Sequence, residues 1–155
     1  MSISREVGLA LVASLFLTLP ALTQEKKIGR SDLPPAGEKA VAAQSQGATI
    51  RGFSEEKENG QTFYEAELVV NDHSKDILMD LDGVVLEVEE QIALNSLSAA
   101  VRDGLQAKAG KGKLVKVESL TKKDKLVGFE AQVVTDGKTS EVQVGPDGKP
   151  LDHQE

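Results

Sequence analysis

The chain has 155 residues, a net charge of −7 and no cysteine. The lack of thiols excludes disulfides, thiolate metal sites and cysteine nucleophiles, so the fold must be held together by burial alone. A chain of this length can form one modest domain or two small modules.

The first 23 residues have the pattern of a cleaved export signal. Arg5 supplies a positive charge, an uncharged and largely apolar run of 13 residues follows, and Pro20 ends it. An uncleaved anchor is the alternative, but a spanning helix needs about 20 apolar residues. We therefore predict a signal peptide over residues 1–23 and a periplasmic or secreted protein. After cleavage we expect no stable membrane insertion.

Two helices are predicted after a flexible polar leader at residues 24–31. The first begins near Pro34-Pro35, because proline is tolerated at the first helical position, and it ends before Gly47. The second carries Leu94, Leu97, Val101 and Leu105 at steps of three and four. Each helix should cover the apolar face of a sheet.

Strand-like segments with period-two alternation follow each helix. After the first helix we predict strands at residues 49–58, 62–70, 75–81 and 84–89. After the second we predict strands at 113–121, 129–133 and 139–144, and a short one near Leu151. Asn59-Gly60 and Asp136-Gly137 are typical of type I′ hairpin turns, which require positive φ at both central residues.

The second strand-rich segment repeats the first at a shift of 65 residues. Between Tyr64 and Leu86, six of 23 aligned pairs are identical, whereas chance would give roughly one or two. The repeat predicts an α+β protein of two tandem modules, residues 32–92 and 93–155. Each module is expected to be one helix packed on a four-stranded antiparallel meander sheet.

Short motifs in both halves resemble a bacterial family of exported proteins. The first half carries Leu33-Pro34, Gly47-Ala48-Thr49-Ile50, Tyr64-Glu65-Ala66-Glu67, Asp80-Leu81-Asp82-Gly83 and Leu86-Glu87-Val88. The second half carries Gly112-Lys113-Leu114, Phe129-Glu130-Ala131 and Pro146-Asp147-Gly148-Lys149. They resemble the PepSY-like domains, grouped with the β-lactamase-inhibitor-like (BLIP-like) fold, in tandem copies. The resemblance implies an extracytoplasmic, non-enzymatic module that binds or inhibits other proteins such as peptidases.

Charge is divided unevenly between the two halves. Residues 25–93 hold 7 basic and 15 acidic residues, a net charge of −8, whereas residues 94–155 hold 10 basic and 9 acidic residues, a net charge of +1. Seven lysines lie between Lys108 and Lys125, but arginine and interleaved aromatic residues are scarce there. We therefore expect no nucleic-acid partner.

Glutamates at strand spacing predict an exposed binding face. The residues concerned are Glu65, Glu67, Glu87, Glu89 and Glu130. Because they alternate with apolar residues, they should lie on the wet side of the sheet.

The other chemistry-bearing residues have simpler explanations. His73 and His153 fall in a turn and in the tail, and no G-x-S-x-G stretch accompanies them. Asp80-x-Asp82-Gly83 faintly resembles a calcium loop, but Leu78 stands where a further oxygen ligand is required. No nucleotide-binding glycine motif occurs. We assign no catalytic, cofactor or metal residue and expect no enzyme.

Two functions remain open at this point. The first is a protein-binding or peptidase/hydrolase-inhibitor-like protein of the cell envelope, whose partner is another envelope or secreted protein. The alternative is an envelope protein that binds a small ligand or a divalent cation on the acidic face.

Overall fold

The computed structural model of the protein describes residues 24–151. The strands are β1 (Gln24–Ile28), β2 (Thr49–Glu58), β3 (Gln61–Val70), β4 (His73–Met79), β5 (Val85–Gln91), β6 (Lys113–Lys122), β7 (Lys125–Thr135) and β8 (Lys138–Val144). The helices are α1 (Pro35–Gln44) and α2 (Ala99–Ala109), each preceded by a short 3₁₀ turn. The predicted signal peptide, residues 1–23, lies outside the described residues.

All of these strands belong to one antiparallel sheet, in the order in which they occur along the chain. β5 pairs with β4 on one edge and with β6 on the other, so that Glu89 stands between Asp76 and Leu120. The prediction of two tandem modules, each with its own four-stranded sheet, is therefore wrong. The physical reason is that a strand has two hydrogen-bonding edges, and the pairing of β5 with β6 satisfies edges that separate modules would leave unpaired.

Four hairpins in the sheet close through two residues with positive φ. Asn59 and Gly60 have φ of 50° and 80°, and Asp136 and Gly137 have φ of 50° and 76°. The turns at residues 71–72 and 123–124 have the same signs of φ. Such turns match the right-handed twist of the flanking strands. The two turns predicted from Asn-Gly and Asp-Gly are confirmed.

Both helices pack on one side of the sheet, over two apolar clusters. The cluster under α1 includes Val41, Leu68 and Ile77, and the cluster under α2 includes Leu105 and Val144. The helices contribute few buried side chains, namely Gly37 and Val41 from α1 and Val101 and Leu105 from α2. Neither helix is stable alone at this length, so each depends on the sheet beneath it.

Two predictions near the ends of the described chain are wrong. Part of the predicted flexible leader forms β1, which pairs with β2 and brings Ile28 against the first apolar cluster. After β8 no strand forms up to Leu151, the last described residue. Pro150 lacks the N–H that a ladder would require there.

None of the helices in residues 24–151 is long and apolar enough to cross a membrane.

Candidate functional site

The predicted glutamates meet on the side of the sheet opposite the helices, here called the open face. Strand register aligns Glu65 with Ser54 and Leu78, Glu89 with Asp76, and Glu130 with Gln143. The five predicted residues, Glu65, Glu67, Glu87, Glu89 and Glu130, are half-buried rather than fully exposed. Half-burial matters because a carboxylate with part of its hydration removed responds more strongly to nearby charge.

Further charged residues share the open face, and carboxylates predominate among them. By register, the acidic residues that the structure describes on this face are Glu25, Glu56, Glu58, Glu65, Glu67, Asp76, Glu87, Glu89, Glu118, Glu130 and Glu141. The basic residues found there are Lys27, Lys113, Lys116, Lys122 and Lys125. Every strand from β1 to β8 contributes at least one of these charges, so the acidic surface crosses the whole sheet.

Three of these lysines lie beside a carboxylate. Lys27 bonds Glu67 and Glu25, Lys116 Nζ lies 2.6 Å from Glu118, and Lys122 Nζ lies 3.6 Å from Glu87. These pairs hold some of the negative charge in place, and the excess of carboxylates over lysines remains.

A cleft with a volume of about 370 Å³ lies in the middle of the open face. The lining residues are Glu56, Glu65, Asp76, Ile77, Leu78, Glu87 and Glu89. Leu78 contributes an aliphatic side chain among the carboxylates, whereas the side chain of Ile77 is buried on the helix side. On the same side Phe63 stands half-buried opposite Glu56, and Leu120, opposite Glu89, is completely buried. The face is therefore an acidic surface with apolar groups within it.

Burial and crowding alter the protonation of this surface. Burial raises the pKa of Glu89 to about 8, and the charges of Glu130 and Glu118 add to the shift. Burial likewise raises the pKa of Glu56 to about 7, and the nearby charge of Glu65 adds to the shift.

The effect continues on the neighbouring strands. Burial raises the pKa of Asp76 to about 6, and the charge of Glu65 adds to this. Burial also raises the pKa of Glu130, although the amide of Gln143 opposes the shift by donating a 2.7 Å hydrogen bond to its carboxylate. The open face therefore changes charge over the physiological pH range.

Three carboxylates approach one another at the junction of β4, β5 and β6. Asp76, Glu89 and Glu118 each have an oxygen within 4.8 Å of the other two. Oxygens are the ligands that calcium and magnesium prefer. However, Glu118 is already paired with Lys116 and accepts a hydrogen bond of 3.2 Å from the Ser74 hydroxyl. We assign none of these residues as a metal ligand.

The calcium-like motif at the β4–β5 turn is a structural feature. One carboxylate oxygen of Asp80 accepts hydrogen bonds of 2.9 Å from the backbone N–H groups of Asp82 and Val84. Side chains of Asp commonly close turns in this way. His73 is exposed at the start of β4, and its register with Val70 turns it away from the open face. His153 lies outside the described residues.

Sequence reasoning missed Glu56, Asp76 and Glu118 as members of the face. Alternation along β2 and β4 could have identified Glu56 and Asp76. Glu118 lies among lysines in the sequence, and its approach to Ser74 depends on the pairing of β5 with β6, which joins residues 44 positions apart. A non-local pairing of this kind has no signal in the local sequence pattern.

No protein-family model and no curated protein sequence matches the chain. Several solved structures share its fold. A predicted periplasmic protein from Bacteroides eggerthii DSM 20697 superposes with a TM-score of 0.62 at 17% identity, over 79% of this chain and 88% of that one. A BLIP-like protein from Bacteroides fragilis NCTC 9343 gives 0.56 at 20%, over 77% and 83% of the two chains. A DUF2874 family protein from Bacteroides ovatus ATCC 8483 gives 0.58 at 16%, over 77% and 86%.

At identities this low, the superpositions establish the fold alone. The BLIP-like part of the resemblance is confirmed at that level, whereas membership of the PepSY-like group and an origin in tandem copies stay predictions. The chain has the fold of a set of Bacteroides proteins that includes predicted periplasmic, BLIP-like and DUF2874 proteins.

Proposed function

We propose that the chain is an exported, non-enzymatic protein that binds another envelope or secreted protein on the open face of its sheet. The observation that carries the proposal is the acidic surface, which crosses all the strands, has half-buried carboxylates at its centre and contains a cleft of about 370 Å³. Half-buried like charges are costly for a face that only meets water. A partner that covers them offsets this cost.

The exported location is part of the same proposal. It is supported by the signal-like pattern of residues 1–23 and by structural neighbours that are predicted periplasmic proteins. Similarity in fold to a BLIP-like protein is the reason for proposing inhibition of an envelope hydrolase as the finer function.

Capture from an envelope fraction tests the proposal. The face variant is Glu65→Lys with Glu89→Lys, and the matched control is Glu55→Lys with Glu90→Lys, which makes the same charge change on the same or an adjacent strand. Register turns Glu55, opposite Tyr64, and Glu90, opposite Lys75, toward the helix side. We expect the wild type and the control to retain the same partner and the face variant to lose it. Equal retention by both variants would overturn the proposal.

Thermal unfolding distinguishes the proposal from the alternative, a protein that binds a divalent cation. A cation that binds only the folded state raises the unfolding temperature, and the rise grows with the ratio of cation concentration to dissociation constant. An increase with calcium or magnesium that disappears in Glu118→Gln would favour the alternative. An unchanged unfolding temperature removes it. Inertness toward a panel of hydrolase substrates is the expected result for a non-enzyme.

A further inference from the structure

We infer that the segment bound by the open face is rich in lysine and arginine. This inference rests on the proposed function and specifies the chemistry of its partner. It is carried by three observations on the open face: an excess of carboxylates that extends across the sheet, a cleft that combines acidic and apolar walls, and an aromatic side chain among the acids.

The first observation concerns the extent of the charge. Carboxylates occur from Glu25 on β1 to Glu141 on β8, and adjacent strands are about 4.8 Å apart, so the acidic surface spans roughly 30 Å. A single metal ion gathers ligands within a few ångströms of itself and cannot neutralise a surface of this width. An extended chain with several positive side chains can do so.

The second observation concerns the cleft. The aliphatic side chain of Leu78 lies beside Glu56, Glu65 and the other acids that line it. Long basic side chains place their methylene groups on apolar surface and their charged ends beside polar groups. The cleft therefore suits the side chain of a lysine or an arginine better than it suits a hydrated ion or an apolar anchor.

The third observation is Phe63, which stands half-buried opposite Glu56. It lies outside both apolar clusters under the helices. A cation over an aromatic ring is attracted by the ring quadrupole, and arginine is the commonest such partner. The ring and the carboxylate together form a second place for a basic side chain.

Binding of such a segment should be linked to protons. Burial and the charge of Glu65 raise the pKa of Glu56 to about 7, so this carboxyl is partly protonated near neutral pH, and a bound cation would favour loss of that proton. The charged groups that share the open face with Glu56 and Glu65 are Glu25 and Lys27 from β1, Glu58 from β2, Glu67 from β3, Asp76 from β4, Glu87 and Glu89 from β5, Lys113, Lys116, Glu118 and Lys122 from β6, Lys125 and Glu130 from β7 and Glu141 from β8. Since carboxylates exceed lysines, raising the pH increases the negative charge available to a basic segment.

The test uses a fluorescent oligoarginine peptide and a citrulline peptide of the same length, which keeps the shape and removes the charge. Affinity is measured for the wild type, for Glu65→Gln with Glu89→Gln, and for the control Glu55→Gln with Glu90→Gln. We expect the wild type to bind only the charged peptide. The face variant should bind that peptide about tenfold more weakly than the wild type does, and the affinity of the control should be within about twofold of the wild type. We also expect tighter binding at about pH 8 than at about pH 6.

Equal loss of affinity in the two variants would overturn the inference, because it would mean that only total charge matters. Binding of the citrulline peptide as tightly as the arginine peptide would also overturn it. These results are distinct from failure of the proposed function. If the envelope partner is lost by the charge-reversed face variant but its binding is insensitive to salt, the open face is the binding surface and its partner is not basic.

Discussion

Two glycines, in the β4–β5 turn and in the turn after β8, lie close to the backbone of the helices. A Cβ on Gly83 would lie 2.4 Å from the carbonyl oxygen of Ala36, and a Cβ on Gly148 would lie 2.2 Å from that of Ala100. Both have positive φ, of 72° and 80°. The Asp-Gly dipeptides therefore serve a turn and a close contact at once.

Gly148→Ala should lower the free energy of unfolding by about 2–4 kcal/mol, since backbone must move to admit the methyl group. The matched control is Gly60→Ala, which has the same φ of 80° and nothing within 4 Å of the added Cβ. It should cost only about 1 kcal/mol from the left-handed conformation. Urea unfolding of both variants checks this, and equal losses would contradict the packing explanation.

Glu89 gives a prediction about pH. Its pKa is raised from 4.5 to about 8 in the folded state, so the folded state binds its proton more tightly than the unfolded state does. The free energy of unfolding should therefore fall as the pH rises from 4.5 through about 8. Glu89→Gln removes this loss. The free energy of unfolding of the variant should therefore match that of the wild type near pH 4 and exceed it by about 1–3 kcal/mol near pH 9.

The exposed neighbour Glu90, which register turns to the helix side, supplies the control for that measurement. Chemical unfolding of Glu90→Gln should follow the wild type at every pH. A Glu89→Gln difference that is constant with pH would mean that titration of this carboxyl is not its cause.

At the scale of elements, the β6–β7 hairpin contains the least favourable turn residue. Lys123 has φ of 48°, a conformation that costs lysine more than asparagine or glycine. Lys123→Asn should raise the free energy of unfolding by about 0.5–1 kcal/mol, because asparagine suits a type I′ turn. The substitution does not remove the backbone N–H of residue 123, which donates a hydrogen bond to the carbonyl of Leu86. The control is Lys138→Asn, at a residue without positive φ, which should leave thermal stability unchanged. Equal effects of the two variants on thermal unfolding would refute the turn argument.

Local features of the elements could be predicted from sequence, whereas their assembly could not. Strand alternation and the turns at Asn59-Gly60 and Asp136-Gly137 depend on neighbours in the chain, and β2 has the predicted bounds, Thr49–Glu58. β1 was missed because a five-residue strand with adjacent lysines at positions 26 and 27 has no alternation of its own. Its pairing with β2 gives it structure.

At the scale of the whole molecule, the pairing of β5 with β6 replaces the predicted two modules with one sheet. It also brings Glu118 to Asp76 and Glu89. The predicted glutamates could be assigned to one face from alternation alone. The cleft and the crowded carboxylates could not be predicted, since they depend on which strands become neighbours.

A continuous sheet should unfold as one unit. We expect calorimetry of a protein spanning residues 24–155 to give a single transition, with calorimetric and van't Hoff enthalpies in agreement. Two resolved transitions would indicate that the halves fold independently and that the β5–β6 pairing is weak.

The central claim is that the open face is where a partner binds. Carbodiimide labelling of carboxylates, read by mass spectrometry on the free protein and on the captured complex, tests it most directly. The account predicts that the complex protects Glu65, Glu67 and Glu87 while Glu55 and Glu90 on the helix side label as before. Protection of Glu55 and Glu90 with unchanged labelling of the open face would contradict it.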